Sequence, residues 1–189
     1  MKHDKSYLRN KFILRRKNKH LSPEKFNFNL IFKIIKKHFN DNKIFIAGYY
    51  PSNYEVNVLS FLEQAANRNF KLSLPVVTSS ISMSFRPWVV NEPLYVSKFG
   101  ILEPDNINKK IIPDLVLVPL VAFDSNLNRI GYGKGYYDKN LEKIKKNKKK
   151  TITIGVAYFF QKYKGIPINK HDFKLDYIFT ERGIISSKK

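Results

Sequence analysis

The nine residues Leu115 to Phe123, LVLVPLVAF, form an unbroken apolar run, and after the turn DSNLN comes Arg129 to Asp138, RIGYGKGYYD. An uncharged run of that length reads as a strand buried on both faces, of the kind found in the middle of a parallel sheet. Gly131, Gly133 and Gly135 then free the backbone to take positive φ and to bring N–H groups close to an anion. Arg129 and Lys134 add cationic side chains, and Asp138 offers a hard oxygen ligand at the far edge. The segment suits phosphate binding at the end of a central strand. A tight strand-to-helix turn is the plainer reading of the same spacing.

The rest of the chain supplies alternating elements. Residues 5 to 19 read as a basic helix. Ser22 can cap a second helix with Pro23 in its first turn, followed by an apolar stripe of Phe26, Leu30, Ile31, Ile34, Ile35 and His38. Ile44 to Tyr50 reads as a strand running into a Pro51 turn, Glu55 to Arg68 as a helix, and Lys71 to Val77 as a strand. Ile81 to Pro104 alternates short extended pieces with loops. Tyr136 to Asn147 should be helical, Thr151 to Phe160 a strand, and Tyr177 to Thr180 a last short one. With no repeat or linker to divide it, residues 1–189 read as a single domain. The expected fold is α/β, a three-layer α/β/α arrangement with a mostly parallel central sheet and a small antiparallel excursion in the middle of the chain. Ligands in such sheets gather beyond the strand C-termini.

Composition narrows the function classes. There is no cysteine, so disulfides and thiolate chemistry are excluded. No apolar segment approaches bilayer-spanning length, so no membrane association is expected, and a soluble, cytoplasmic monomer is the reading. The first twenty residues are basic, yet they read as part of the mature chain rather than as a transit peptide. The formal charge of +20, from 35 Lys and Arg against 15 Asp and Glu, invites a nucleic-acid reading. Residues 139 to 150 hold seven lysines against Glu142, but without the interleaved aromatics that stack bases. A solvated lysine-rich surface explains the excess, and no nucleic-acid partner is expected.

The run LVLVPLVAFDSNLNRIGYGKGYYDKNL resembles the signature segment of the 5-formyltetrahydrofolate cyclo-ligase (5,10-methenyltetrahydrofolate synthetase) family, in which an apolar strand ending in AFD precedes R-x-G-x-G-x-G-Y-Y-D. KSYLR at Lys5 to Arg9, with Arg16 further on, is similar to the family's basic opening. YYPSNYE, ending at Glu55, is similar to its folate-contacting turn. LSLPVV, FGILEP and HDFKLDYIFTE are similar to later landmarks in the same order.

The resemblance implies a ligase that uses ATP and Mg²⁺ to close 5-formyltetrahydrofolate, with or without a polyglutamate tail, to 5,10-methenyltetrahydrofolate. The implied ATP contacts are Lys5, Ser6, Tyr7, Leu8 and Arg9, together with Arg129, Ile130, Gly131, Tyr132, Gly133, Lys134, Gly135, Tyr136 and Tyr137. Lys134 and Arg129 would act on the transferring phosphoryl group. Tyr50, Glu55 and Phe99 would meet the folate, Phe99 standing where some members have tryptophan. Asp138 and Asp172 match the magnesium-associated acids, with Asp176 as a competitor for the second position. Each residue also has a plainer reading. Lys5 and Arg9 suit a solvated helix face, Glu55 and Asp138 suit helix first turns, and Asp172 suits a loop acid paired with a lysine. Two other activities fit the sequence: ATP-dependent activation of a different formamide or amide, and RNA binding through the basic tracts.

Overall fold

The computed structural model describes residues 4–19, 24–40, 43–105, 109–147 and 150–187. In chain order the elements are α1 (Lys5–Lys19), α2 (Asn29–His38), β1 (Phe45–Ala47), α3 (Leu59–Ala66), β2 (Lys71–Ser79), β3 (Ser82–Pro87), β4 (Tyr95–Val96), β5 (Leu102–Glu103), β6 (Leu115–Pro119), β7 (Ala122–Phe123), β8 (Arg129–Ile130), α4 (Tyr136–Asn147), β9 (Ile152–Val156), β10 (Tyr177–Thr180) and β11 (Gly183–Ser186). A seven-stranded sheet in the order β11-β10-β9-β6-β1-β2-β3 forms the middle layer. The five inner strands are parallel, and β3 and β11 close the two edges in antiparallel pairing.

The alternation in β6 shows why that strand is apolar throughout. Leu115 and Leu117 face the cluster that holds α2 and α3, through Ile31, Ile35, Phe61 and Leu62. Val116 and Val118 face the opposite cluster, which holds Leu141 and Ile144 of α4. Helices thus cover both faces, as the three-layer reading expects. The direction of strand succession reverses between β1 and β6, so the C-terminal ends of these two strands define the crevice where open α/β sheets bind ligands. Only two residue pairs, Ile46↔Leu115 and Ala47↔Val116, join β1 to β6.

Several boundaries differ from the sequence reading, each for a local reason. Ser22 and Pro23 lie outside the described residues, and residues 24–27 are not helical. Instead Phe26 and Phe28 stack on each other and reach Phe179, while the Asn27 side chain accepts the Asn29 N–H, so α2 starts at Asn29. β1 ends at Ala47, short of Tyr50. α3 starts at Leu59 rather than Glu55, because Asn53 and Tyr54 take positive φ and Asn57 accepts the Leu59 N–H. The run from Leu115 does not continue as one strand to Phe123: at Leu120 the chain leaves the sheet, and β7 pairs with β8 in a separate hairpin. The strand expected from Thr151 to Phe160 stops at Val156, where a 3₁₀ turn over Phe159–Gln161 begins the next connection. The middle excursion is present twice, as β3 on the sheet edge and as the β4–β5 pair.

Helix α1 lies outside these layers, against the β7–β8 hairpin. Leu8 and Phe12, one turn apart, bury against Val121, Ala122, Ile130 and Ile166, and this contact fixes the cationic face of α1 over the loop that follows β8.

Gly155 of β9 reports how tightly the layers meet. A Cβ there would lie 2.6 Å from Leu175, 2.7 Å from Ile178 and 2.7 Å from Leu120. Gly155→Ala is expected to lower stability by about 1–3 kcal/mol through overpacking, measured as a shifted urea midpoint with an unchanged m-value.

Candidate functional site

The loop after β8 is built around two left-handed glycines, Gly133 at φ +97° and Gly135 at φ +71°. Arg9 closes over it: its Nε donates to the Gly131 carbonyl at 2.8 Å. A Cβ on Gly133 would lie 3.2 Å from the Arg9 guanidinium carbon, so glycine here serves both the φ and the close approach of the arginine. Lys134 sits exposed between the two glycines. Tyr136 and Tyr137 open α4, and their hydroxyls are buried without a hydrogen-bond partner.

Beneath the loop lies Arg16, 1% exposed. It donates to the Leu120 carbonyl at 3.3 Å and to the Tyr132 hydroxyl, and its guanidinium stands over the Tyr132 ring. Tyr132 in turn donates to Glu55. Glu55 arrives from the turn after β1, where it accepts the Ser52 N–H at 2.9 Å. Tyr49 is buried beside this turn and donates to the Val56 carbonyl, with Tyr50 following it half-buried. The turn after β1 and the glycine loop are therefore joined across the β1/β6 crevice by Glu55, Tyr132 and Arg16. Burial raises the Glu55 pKa above its ordinary value, opposed by the Ser52 and Tyr132 hydrogen bonds and by Arg16. Burial, and after it the charge on Glu55, raises the pKa of Tyr49, Tyr132 and Tyr137.

The remaining residues singled out in the sequence surround the loop. Arg129 is buried below it, donating to Asp138 Oδ1 at 2.6 Å and to the Phe173 carbonyl. Burial lowers the Arg129 pKa, and the charges of Asp138 and Asp172 oppose that shift. Lys5 pairs with Asp172, which also accepts the Asn169 N–H. Phe173, adjacent to Asp172, donates its N–H to Asp138 Oδ1 at 3.0 Å, which ties the first turn of α4 to the loop that carries Asp172. Asp176 does not belong here. It bonds Thr153 and Lys145 at the N-terminal ends of β9 and β10, away from the crevice. Phe99 packs edge-on against Tyr136, with ring centroids 6.3 Å apart. Ser6 and Tyr7 are exposed on α1, whereas Leu8 and Ile130 are core residues beneath the loop.

Among the described residues no three His, Cys, Asp or Glu side chains are placed to hold an ion. Asp138 and Asp172 each receive both hydrogen bonds on one oxygen, leaving the other available as a hard ligand. That donor set fits an ion carried mainly by phosphate oxygens and touched by one or two carboxylates, as Mg²⁺ commonly is.

Arg16 is the residue whose role sequence reasoning underused. Its signal was its position, one turn beyond Phe12 and two beyond Leu8 on the buried face of α1, where an arginine must find partners. A cavity of about 820 Å³ also opens beyond β9 and β10, lined by Arg15, Phe160, Lys162 and Arg182 among others. It includes none of the residues singled out above.

Comparison with known proteins places the chain in a family. A 5-formyltetrahydrofolate cyclo-ligase from Haemophilus influenzae is 29% identical, covering 69% of this chain and 72% of its own length. The corresponding protein of Mycoplasma pneumoniae is 31% identical, with 72% of each chain covered. The solved structure of the Aquifex aeolicus 5,10-methenyltetrahydrofolate synthetase matches with a TM-score of 0.74 at 28% identity, covering 98% of this chain and 93% of that one. The family model for cyclo-ligases matches residues 1–181, and the chain belongs to the 5-formyltetrahydrofolate cyclo-ligase family.

Proposed function

We propose that this chain converts 5-formyltetrahydrofolate to 5,10-methenyltetrahydrofolate, releasing ADP and phosphate from ATP. The observation that carries the reading is the glycine loop held over the β1/β6 crevice by Arg9, Arg16 and Glu55, within a chain matched to the family over residues 1–181.

The chemistry explains why a phosphate loop and a folate turn share one crevice. A formamide oxygen is a poor leaving group, so N10 cannot displace it directly. Attack of the formyl oxygen on the γ-phosphorus breaks the bond to ADP and turns that oxygen into a phosphate ester. N10 then adds to the formyl carbon and loses its proton, and the C–O bond breaks as phosphate leaves. This sequence needs positioning and charge neutralisation more than a protein nucleophile. Lys134 is the exposed cation at the centre of the loop and suits the transferring phosphoryl group. Arg129 acts from below, holding Asp138 and the Phe173 backbone in place. Lys5 and Arg9 suit the remaining phosphates. Magnesium, held by the nucleotide with Asp138 and Asp172, would neutralise phosphate charge. Glu55 offers an acceptor to the donor-rich pterin edge, with Tyr50 beside it, and Phe99 offers a ring face to the aminobenzoyl group.

Purified protein supplied with Mg²⁺, ATP and 5-formyltetrahydrofolate is expected to generate the absorbance of the methenyl product with stoichiometric ADP. Folded protein at micromolar concentration that gives neither would remove the assignment.

Lys134→Ala is expected to lower kcat by roughly 100-fold or more, because an ammonium on the phosphoryl group stabilises charge as it develops. Steady-state kinetics on the folded variant decide this, and a near-normal kcat would return Lys134 to the role of a solvated loop residue.

Glu55→Gln is expected to weaken folate binding by about 1–3 kcal/mol, with ATP affinity unchanged, as read by calorimetry on each ligand. The raised pKa of Glu55 also gives a stability signature. Its proton is held more tightly in the folded state, so the ionised carboxylate costs stability as pH rises through the folded pKa. The melting temperature of the parent relative to the Gln variant should therefore fall as pH rises from the ordinary carboxylate range through the folded pKa. Thermal melts across pH check the sign.

A further inference from the structure

The cavity beyond β9 and β10 takes no part in the proposed reaction. At about 820 Å³ it falls within the range of roughly 300 to 1,000 Å³ typical of pockets that hold whole small molecules. Its cations come from three segments far apart in sequence: Arg15 and Lys19 from the C-terminal half of α1, Lys162 and Lys164 from the connection that follows β9, and Arg182 from the β10–β11 turn. Like charges gathered in this way repel one another, yet the fold holds them in place. Arg15 and Lys19 stand over the Phe160 ring, 5.4 and 5.2 Å from its centroid, and Tyr158 stacks on that ring with the planes 8° apart. Arg182 and Lys162 stand over Phe159 at 4.2 and 5.7 Å. An aromatic ring attracts a cation without neutralising it, so the positive field stays open to the cavity.

The acids of the lining do not cancel that field. They are Glu24, Asp124 and Glu181. Asp124 is taken up by its own turn, where it accepts the backbone N–H groups of Asn126 and Asn128 and the Asn128 side chain. Glu181 accepts the Phe159 N–H at 2.8 Å and lies 3.9 Å from Arg182. Among the described residues Arg15, Lys19, Lys162 and Lys164 form no ion pair.

Because cations already stand over both phenylalanine rings, the cavity offers an incoming ligand charge rather than a ring to stack on. A linear chain of phosphates answers this. It packs several negative charges into a short length, and its paired oxygens match the planar forks of Arg15 and Arg182. We infer that the cavity is a binding site for an oligophosphate of three or more phosphates, either an inorganic chain or the phosphate tail of a nucleoside triphosphate. The site is separate from the glycine loop, whose cations Lys5 and Arg9 lie on the N-terminal half of α1 and line none of this cavity.

Backbone amide NMR tests the site by location. Sodium tripolyphosphate is titrated into the full chain at an ionic strength of about 0.15 M, and the amides of residues 159–165, 181 and 182 are followed beside those of the glycine loop. Saturable shifts are expected at these cavity amides. The triple variant Arg15→Gln, Lys162→Gln, Arg182→Gln is expected to bind there about tenfold more weakly or worse, with the glycine-loop shifts unchanged. Shifts confined to the glycine loop, or a folded triple variant that binds like the parent, overturn the site. So do equal shifts from sodium sulfate at matched ionic strength, a comparison made on the parent alone. ATP in a second titration identifies the source: tighter binding than tripolyphosphate at the cavity amides assigns the nucleotide, and weaker or equal binding assigns the inorganic chain. A single-stranded RNA oligomer that shifts these amides at lower concentration than either small anion overturns the proposal in favour of nucleic acid.

Discussion

The buried guanidinium of Arg16 is the point on which the crevice is organised. Taking an arginine out of water costs several kcal/mol unless its donors and its charge are answered. The answers come from three separate parts of the chain: the Leu120 carbonyl where β6 leaves the sheet, the Tyr132 hydroxyl in the glycine loop, and the charge of Glu55 behind that hydroxyl. The Leu120 carbonyl also accepts from Gln161, so the bend that ends β6 is held from two sides. Removing any one partner leaves the others with a buried polar group to satisfy, and this interdependence keeps the loop, the turn and α1 in one register.

Around this centre, two of the cations are paired with acids before any ligand arrives. Lys5 pairs with Asp172 and Arg129 with Asp138, whereas Arg9 reaches only the Gly131 carbonyl and Lys134 is exposed. A polyanionic nucleotide would exchange partners with these acids rather than enter a bare positive field. The exchange would free carboxylate oxygens at the place where a hard cation travelling with phosphate needs them.

Much of this was legible in the chain. The start of a buried strand at Leu115, the positive φ of Gly133 and Gly135 though not of Gly131, and helix α4 follow the sequence reading because each rests on local rules: burial on both faces, glycine's freedom, and apolar residues at helical spacing. What was hidden depended on distant partners. Nothing near Leu120 announces that the strand must stop there, since the reason is a carbonyl turned toward Arg16 and Gln161. The start of α2 was displaced because Phe26 and Phe28 found aromatic neighbours more than thirty residues away, including Phe61 and Phe179. Asp172 and Asp176, four residues apart in the same loop, were indistinguishable in sequence. Tertiary position separates them, one beside the glycine loop and the other fastening the opposite ends of β9 and β10.

The two-pair junction between β1 and β6 has a thermodynamic consequence. Five pairs join β6 to β9, so the seam between the N-terminal and C-terminal portions of the sheet is narrow where the ligands are proposed to sit. A narrow seam with few backbone bonds is a natural boundary between cooperative opening units, and the crevice lies across it. Substrates gripping Glu55 on one side and the glycine loop on the other would act as a clasp on that boundary. Occupancy would then be recorded as slower amide exchange along β1.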